Sequence, residues 1–347
     1  MEEEVIEKPD IPDEAILRAV EAGYGIRADG LEFIPHGLDS FAWAYRVRAG
    51  AAAYFLKGSR RPLPETGAWV PQFLAERGVP HVIAPILTRQ GEVQAQADGF
   101  NLRLQPFVTA RSAIEAGMAL DQWMELGAFL RQLHNLRLPA SVRERLRQED
   151  FMPRRLAWVS EMNARIGESR SEDAIATEMI SSWRERRESV GRLIERMNDL
   201  TGEASQMGQS MVVCHADIHT ANILLAADGA MFVVDWEDAM LAPKERDLMF
   251  VLAYAEPAQW ASFLKGYATT YVDAVTLAYY QHAWAIEDLG AFAEEILDVE
   301  SAGAETRANS LRWFKHLFTP AGSVPIALEA DLVSTHLHGK TKAAEQG

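Results

Sequence analysis

The sequence predicts an α+β chain, with a small antiparallel β-sheet lobe at the N-terminal end and a larger, mainly helical lobe that carries a helical insert. Three observations predict it. Strand-like segments crowd the first third, at Leu31 to Pro35, Phe41 to Val47, Ala51 to Lys57, Pro80 to Leu87 and Phe100 to Val108. From about Leu120 the pattern turns helical, with Trp123, Leu126, Leu130 and Leu133 at three- and four-residue spacing. Between two helical regions, residues 212–236 read as a strand, a polar loop and a hairpin around Asp228-Gly229. The chain has 347 residues, enough for more than one core. The expected division is 1–105 for the first lobe and 106–335 for the second, with an insert at about 141–209 and a frayed, disordered tail at 336–347.

Taken in order, residues 11–22 carry apolar positions at helical spacing after Pro12-Asp13 and predict a short amphipathic helix. The turn His36-Gly37-Leu38-Asp39-Ser40 between the first two strands has one glycine, so it reads as a hairpin turn or as a phosphate-covering loop using Ser40. Lys57 ends a strongly apolar strand, where its ammonium needs a partner or must snorkel to water. Glu65 and Glu76 are the carboxylates expected to pair with it. Residues 64–77 predict a helix in their second half, with Pro71 as a break or a new start. The insert is charge-rich, and its periodicity around Leu156 to Val159 and from Ile180 to Leu200 predicts a helical pair. Residues 257–297 again read as helices.

Composition narrows the function. A net charge of −16 leaves no basic footprint for nucleic acid and favours a cationic small molecule. The single cysteine, Cys214, excludes an intrachain disulfide and any multi-cysteine metal cluster. No apolar run is long enough to span a bilayer, and the acidic start lacks the features of a signal peptide. A cytoplasmic protein is expected. Nothing in the sequence specifies an oligomeric state.

The chemistry concentrates in residues 212–236. His215, Asp217, Asn222 and Asp235 form an HxDxxxxN loop followed by an aspartate at the end of a hairpin. If the turn were a two-residue one on Asp228-Gly229, Asn222 would face Asp235; a three- or four-residue loop would shift this by a position. A hard divalent cation asks for such oxygen ligands and takes only one or two from protein. Asp217 is then placed to accept or orient a hydroxyl proton. His215 reads as a brace for the loop, His219 as solvent-facing or as a phosphate contact, and Asp247 as a cap for the loop backbone or as half of a surface pair with Arg246.

This segment, VVCHADIHTANILLAADGAMFVVDW, is similar to the catalytic segment of the aminoglycoside phosphotransferase family, within the protein-kinase-like fold. FIPHGLDSFAWAYRV and AAAYFLKG resemble that family's first three strands, and LGAFLRQLH its helix before the insert. DWEDAMLAPKERDLMF and YYQHAWAIEDL resemble the spectinomycin phosphotransferase branch. The likeness spans about residues 15 to 300. It implies Asp217 as catalytic aspartate, magnesium on Asn222 and Asp235, and Lys57 on the phosphates of ATP or GTP. Glu65 is the nearer candidate for the lysine's partner, and the Pro106 carbonyl and Val108 amide would receive the adenine.

The resemblance also puts the acceptor over the helical lobe, facing Asp217. Candidates are Trp236, Glu237, Asp238, Tyr279, Tyr280, Glu287 and Asp288, since carboxylates and aromatic faces suit a hydroxylated cation. The implied function is transfer of the γ-phosphate to a hydroxyl of an aminocyclitol or aminoglycoside-like antibiotic. The alternatives are a housekeeping kinase for a sugar, choline-like or amino-alcohol acceptor, and a weakly catalytic nucleotide-binding protein.

Overall fold

The computed structural model describes residues 8–35, 42–97, 99–268, 271–298 and 302–330. Ser40 with its turn, and the tail at 336–347, lie outside the described residues. In chain order the elements are α1 (Asp13–Tyr24), β1 (Gly30–Ile34), β2 (Ala42–Ala49), β3 (Ala52–Ser59), α2 (Thr66–Glu76), β4 (Ala95–Ala97), β5 (Phe100–Pro106), β6 (Ala110–Ser112), α3 (Ala113–Ala116), α4 (Leu120–His134) and α5 (Ala140–Arg143). There follow α6 (Leu156–Arg165), α7 (Ala174–Glu185), α8 (Arg187–Gln206), β7 (Val212–Cys214), a 3-10 turn (Thr220–Asn222), β8 (Ile223–Ala226), β9 (Met231–Val233) and β10 (Met240–Ala242). Last come α9 (Glu245–Tyr254), α10 (Pro257–Tyr267), α11 (Ala274–Leu297) and α12 (Ala304–His316), with a further helical run over 323–330.

The chain divides into two compact units, the first made of residues 1–147, 212–241 and 250–270, the second of 148–211, 242–249 and 271–347. The first unit holds an antiparallel sheet in the order β1-β2-β3-β5-β4. Alternate residues of its strands point inward, so Tyr45, Val47, Leu56, Leu102 and Leu104 are buried against Ile16, Ala19 and Val20 of α1. Tyr24 closes that helix onto the sheet by donating to the Leu102 carbonyl at 2.8 Å. The same unit carries α4, packed on α10 and on β7, and the small sheet β6-β8-β9.

Two expectations need correction here. Pro80 to Leu87 does not form a regular strand: it begins in a turn, with His81 at φ 64°, makes one isolated parallel bridge from Val82 to Val233, and Ile86 donates to Leu104. The adjoining sheet edge is instead taken by β4, which pairs antiparallel with β5. Pro71 does not break α2, which runs from Thr66 to Glu76 with the proline inside it.

The second unit is helical. Its insert holds three helices, α6, α7 and α8, rather than a pair. The periodicity from Ile180 to Leu200 runs across the α7–α8 junction at Arg186, where φ −108° and ψ 9° leave the helical region for one residue. Asp173 starts α7 by accepting from the Ala176 amide at 2.8 Å, an ordinary N-cap. Trp183, fully buried, stacks on Phe314 of α12 with ring centroids 5.7 Å apart. The long α11 packs on α6, α8 and α12.

Candidate active site

The loop after β7 is held by its own histidines. The Asp217 amide donates to Nδ1 of the buried His215 at 3.2 Å, so the ring proton sits on Nε2, 2.9 Å from the Val234 carbonyl. His215 therefore ties the loop to the segment just before Asp235. Between the histidine and the aspartate, Ala216 adopts φ 70°, a left-handed conformation uncommon for a residue with a Cβ. His219 works the same way: its Nδ1 accepts from the Ala221 amide, and its Nε2 lies 3.4 Å from Asp217 Oδ2. It is a second brace on the aspartate.

Asn222 fixes Asp217 from the other side. Its Nδ2 donates to both the backbone carbonyl and Oδ2 of Asp217, each at 2.9 Å. With the amide nitrogen committed, its Oδ1 is left as a ligand for a hard cation. The hairpin register differs from expectation by one. Ile223 pairs with Val233 and Leu225 with Met231. Asn222 consequently meets Val234, whose amide donates to its carbonyl at 3.0 Å, and Asp235 lies one residue further on. The cause is a three-residue connection, in which Gly229 at φ 90° takes the left-handed position and Ala226 donates to Ala230. Asp235 is itself at φ 64°, with an exposed carboxylate. The donor set of amide oxygen plus carboxylate is what magnesium accepts from protein.

Lys57 points at this end of the hairpin. Its Nζ is 2.7 Å from Glu237 Oε1 and 3.9 Å from Asp235 Oδ1. Glu237 also accepts from Arg103 Nη1 at 2.9 Å. The lysine's glutamate therefore comes from two residues beyond Asp235, not from α2. Glu65 is exposed at the start of that helix, 3.8 Å from Arg145, and Glu76 accepts from Gln72. Sequence reasoning missed Arg103 altogether and assigned Glu237 to the acceptor. The available signal was an arginine between two leucines of an apolar strand.

Comparison with known proteins decides the family. The model of the phosphotransferase enzyme family matches residues 31–294. The chain belongs to that family. It is a phosphotransferase with an alcohol group as acceptor, in the protein-kinase-like fold. It is similar to spectinomycin phosphotransferase in a crystal structure with ADP and spectinomycin, at 28% identity and a TM-score of 0.86 over 93% of this chain and 99% of that one. It is also similar to the protein StrN of Streptomyces griseus, 26% identical over 85% of this chain and 88% of that protein. A choline kinase from Streptococcus pneumoniae, at 11% identity and a TM-score of 0.58 over 91% of this chain and 99% of that one, shares the fold.

The remaining residues of the phosphotransferase fall as follows. Pro106 ends β5 and is exposed, and Val108 follows it, half-buried. Trp236 is 2% exposed, donates to the Val233 carbonyl and packs on His215 with centroids 4.6 Å apart. It is a core residue, not an acceptor contact. Tyr280 is likewise buried, and burial together with neighbouring acids pushes the hydroxyl of Tyr279 well above the usual tyrosine range. Glu287 is half-buried and accepts from Arg155 Nη1 at 2.9 Å. Asp238 is exposed and Asp288 half-buried. Asp247 is fully buried on α9 rather than in a surface pair.

Proposed function

We propose that this phosphotransferase moves the γ-phosphate of ATP to a hydroxyl of an aminocyclitol of the spectinomycin kind. The observation that carries the reading is the likeness to spectinomycin phosphotransferase over nearly the whole of both chains. That protein binds ADP and spectinomycin. The geometry of the loop supports the assignment of roles. Asp217, oriented by Asn222 and His219, takes or orients the hydroxyl proton; phosphoryl transfer asks the protein mainly for positioning and charge neutralisation. Asn222 and Asp235 would hold magnesium, which would neutralise phosphate charge. Lys57 contacts the phosphates, and the Pro106 carbonyl and Val108 amide take the adenine. A cationic aminocyclitol suits an acidic protein, and Asp238 is the carboxylate proposed to meet it.

The test is magnesium-dependent transfer of labelled phosphate from ATP to spectinomycin, aminoglycosides, macrolides, choline and ethanolamine, with Asp217→Ala as control. Spectinomycin or a related aminocyclitol should be the preferred acceptor. Turnover of choline or ethanolamine alone would replace this reading with a metabolite kinase. Wild-type protein no faster than Asp217→Ala on any acceptor would refute catalysis by this loop.

A further inference from the structure

Arg103 is out of place by the logic of its strand. Antiparallel pairing of β3 with β5 sets it directly opposite Lys57, on one face of the sheet, where like charges repel. It is also buried, with 4% of its side chain exposed, and a buried charge is costly unless paired. One carboxylate answers both problems. Glu237 Oε1 is 2.9 Å from Arg103 Nη1 and 2.7 Å from Lys57 Nζ. Arg103 Nη2 donates to the Pro64 carbonyl at 2.6 Å, while its Nε has no hydrogen bond among the described residues. The guanidinium is thus pinned through its two terminal nitrogens.

The first turn of α2 seals this arrangement. Thr66 Oγ1 donates to the backbone carbonyl of Glu237. A Cβ on Gly67 would fall 2.4 Å from Arg103 Nη1 and 2.6 Å from Glu237 Cγ, so only glycine lets the helix approach this closely. The helix that sequence reasoning expected to supply the glutamate instead packs over an arginine that holds another one.

The geometry points to Arg103 as a positioning residue for phosphate transfer: it keeps Glu237 fixed and charge-balanced, so that Lys57 can leave that carboxylate for the phosphates of the nucleotide. This rests on the reading of Lys57 as a phosphate contact. A lysine is a compact charge on a flexible stem and can turn from one oxygen to another. A planar guanidinium held at two points cannot follow it. When Lys57 turns away, Arg103 remains on Glu237, and the carboxylate does not repel the incoming triphosphate. Without Arg103, Glu237 competes with the phosphates for the lysine.

The measurements are ADP affinity by titration calorimetry and the KM for ATP in the transfer assay, on full-length protein. Arg103→Met should weaken ADP binding and raise the KM for ATP by roughly 10- to 100-fold, with kcat changed by less than about threefold. Arg103→Lys should be intermediate. The deciding variant is Arg103→Met with Glu237→Gln. Removing the carboxylate's charge removes the competitor, so the double variant should bind ADP more tightly than Arg103→Met alone. A purely structural arginine gives the opposite order. If Arg103→Met does not fold, Arg103→Lys and Gly67→Ala, each with and without Glu237→Gln, decide by the same order. Lys57→Ala separates the two readings. Weak ADP binding in Lys57→Ala but wild-type binding in the Arg103 variants, or no relief in the double variant, overturns this inference alone. Wild-type ADP binding in Lys57→Ala overturns both.

Discussion

Two ion clusters in this protein use the same residue types in different arrangements. In the first unit two cations, Lys57 and Arg103, meet on the carboxylate of Glu237, with Asp235 Oδ1 a further 3.9 Å from Lys57. In the second unit one cation, Arg155, is shared by two carboxylates, with Nη1 2.9 Å from Glu287 and Nε 2.9 Å from Glu294. Glu287 and Glu294 lie seven apart on α11 and so on one face, with Gly290 between them. A Cβ on Gly290 would meet Arg155 Cδ at 2.5 Å, so the arginine lies flat across the glycine. Burial alone would lower the affinity of Arg155 for its proton, but the hydrogen bonds to Glu294 and Glu287 outweigh it and raise its pKa. That cluster is complete in itself. The first lies at the end of the hairpin that follows the Asp217 loop, with Asp235 at its edge, and this placement is what distinguishes a site from a strut.

The sharpest break between them is kinetic. Asp217→Ala, beside the first cluster, should lower kcat by about 10³-fold, within the usual range for a general acid or base, and leave the melting temperature nearly unchanged. Arg155→Met should do the reverse. It strands two acids, and about 1 to 2 kcal/mol of stability should be lost, a figure kept low because the arginine is about a third exposed. Calorimetry and the transfer assay on both variants check the pair. An Arg155→Met protein that melts normally but transfers phosphate slowly would erase the distinction.

Smaller, and aimed at the acceptor, is Glu287→Gln. The amide still accepts from Arg155 but carries no charge, so stability should fall by roughly 0.5 kcal/mol and KM for the acceptor should stay within about twofold. A tenfold rise in that KM would place Glu287 in the acceptor site. The corresponding change at Asp238, which is exposed and has no such arginine among the described residues, is the one expected to move the acceptor's KM.

These contrasts also show what could be read from the sequence. The loop from His215 to Asn222 was legible because its hydrogen bonds are local: Asn222 reaches back five residues, and each histidine accepts from the amide two residues ahead. The lobe order was legible from periodicity, which is set by what each face must bury. The partner of Lys57 was not, because it depends on three segments meeting: β3, β5 and the residue after Trp236. Glu65 was nearer in sequence, yet α2 presents Thr66 and Gly67 to the site and leaves Glu65 to solvent. The hairpin register failed for a smaller reason. Asp228-Gly229 signals a turn, but Gly229 serves here as the left-handed third residue of a longer loop. Tyr280, expected at the acceptor, is buried, because a run of aromatics and acids on a helix looks the same whether it faces a ligand or a neighbouring helix.

The smallest effect comes from an acid between the two extremes. Glu245 is buried in the second unit, accepts from the Asp273 amide at 3.0 Å, and has Lys244 Nζ only at 4.0 Å, since that ammonium donates to the Tyr271 carbonyl at 2.7 Å. Burial raises its pKa, and the hydrogen bond and the distant lysine only partly offset this. A raised carboxyl pKa means the folded protein binds the proton more tightly than the unfolded chain, so stability falls as pH rises from the ordinary carboxylate value through the raised one. Glu245→Gln keeps an oxygen for the Asp273 amide and cannot ionise. It should therefore be more stable than wild type by roughly 0.5 kcal/mol at neutral pH, and the two should converge at a pH below the ordinary glutamate value. Melting temperatures across that range test it. A variant less stable than wild type at neutral pH would mean that Lys244 compensates the charge after all, and Glu245 would then belong with the complete clusters.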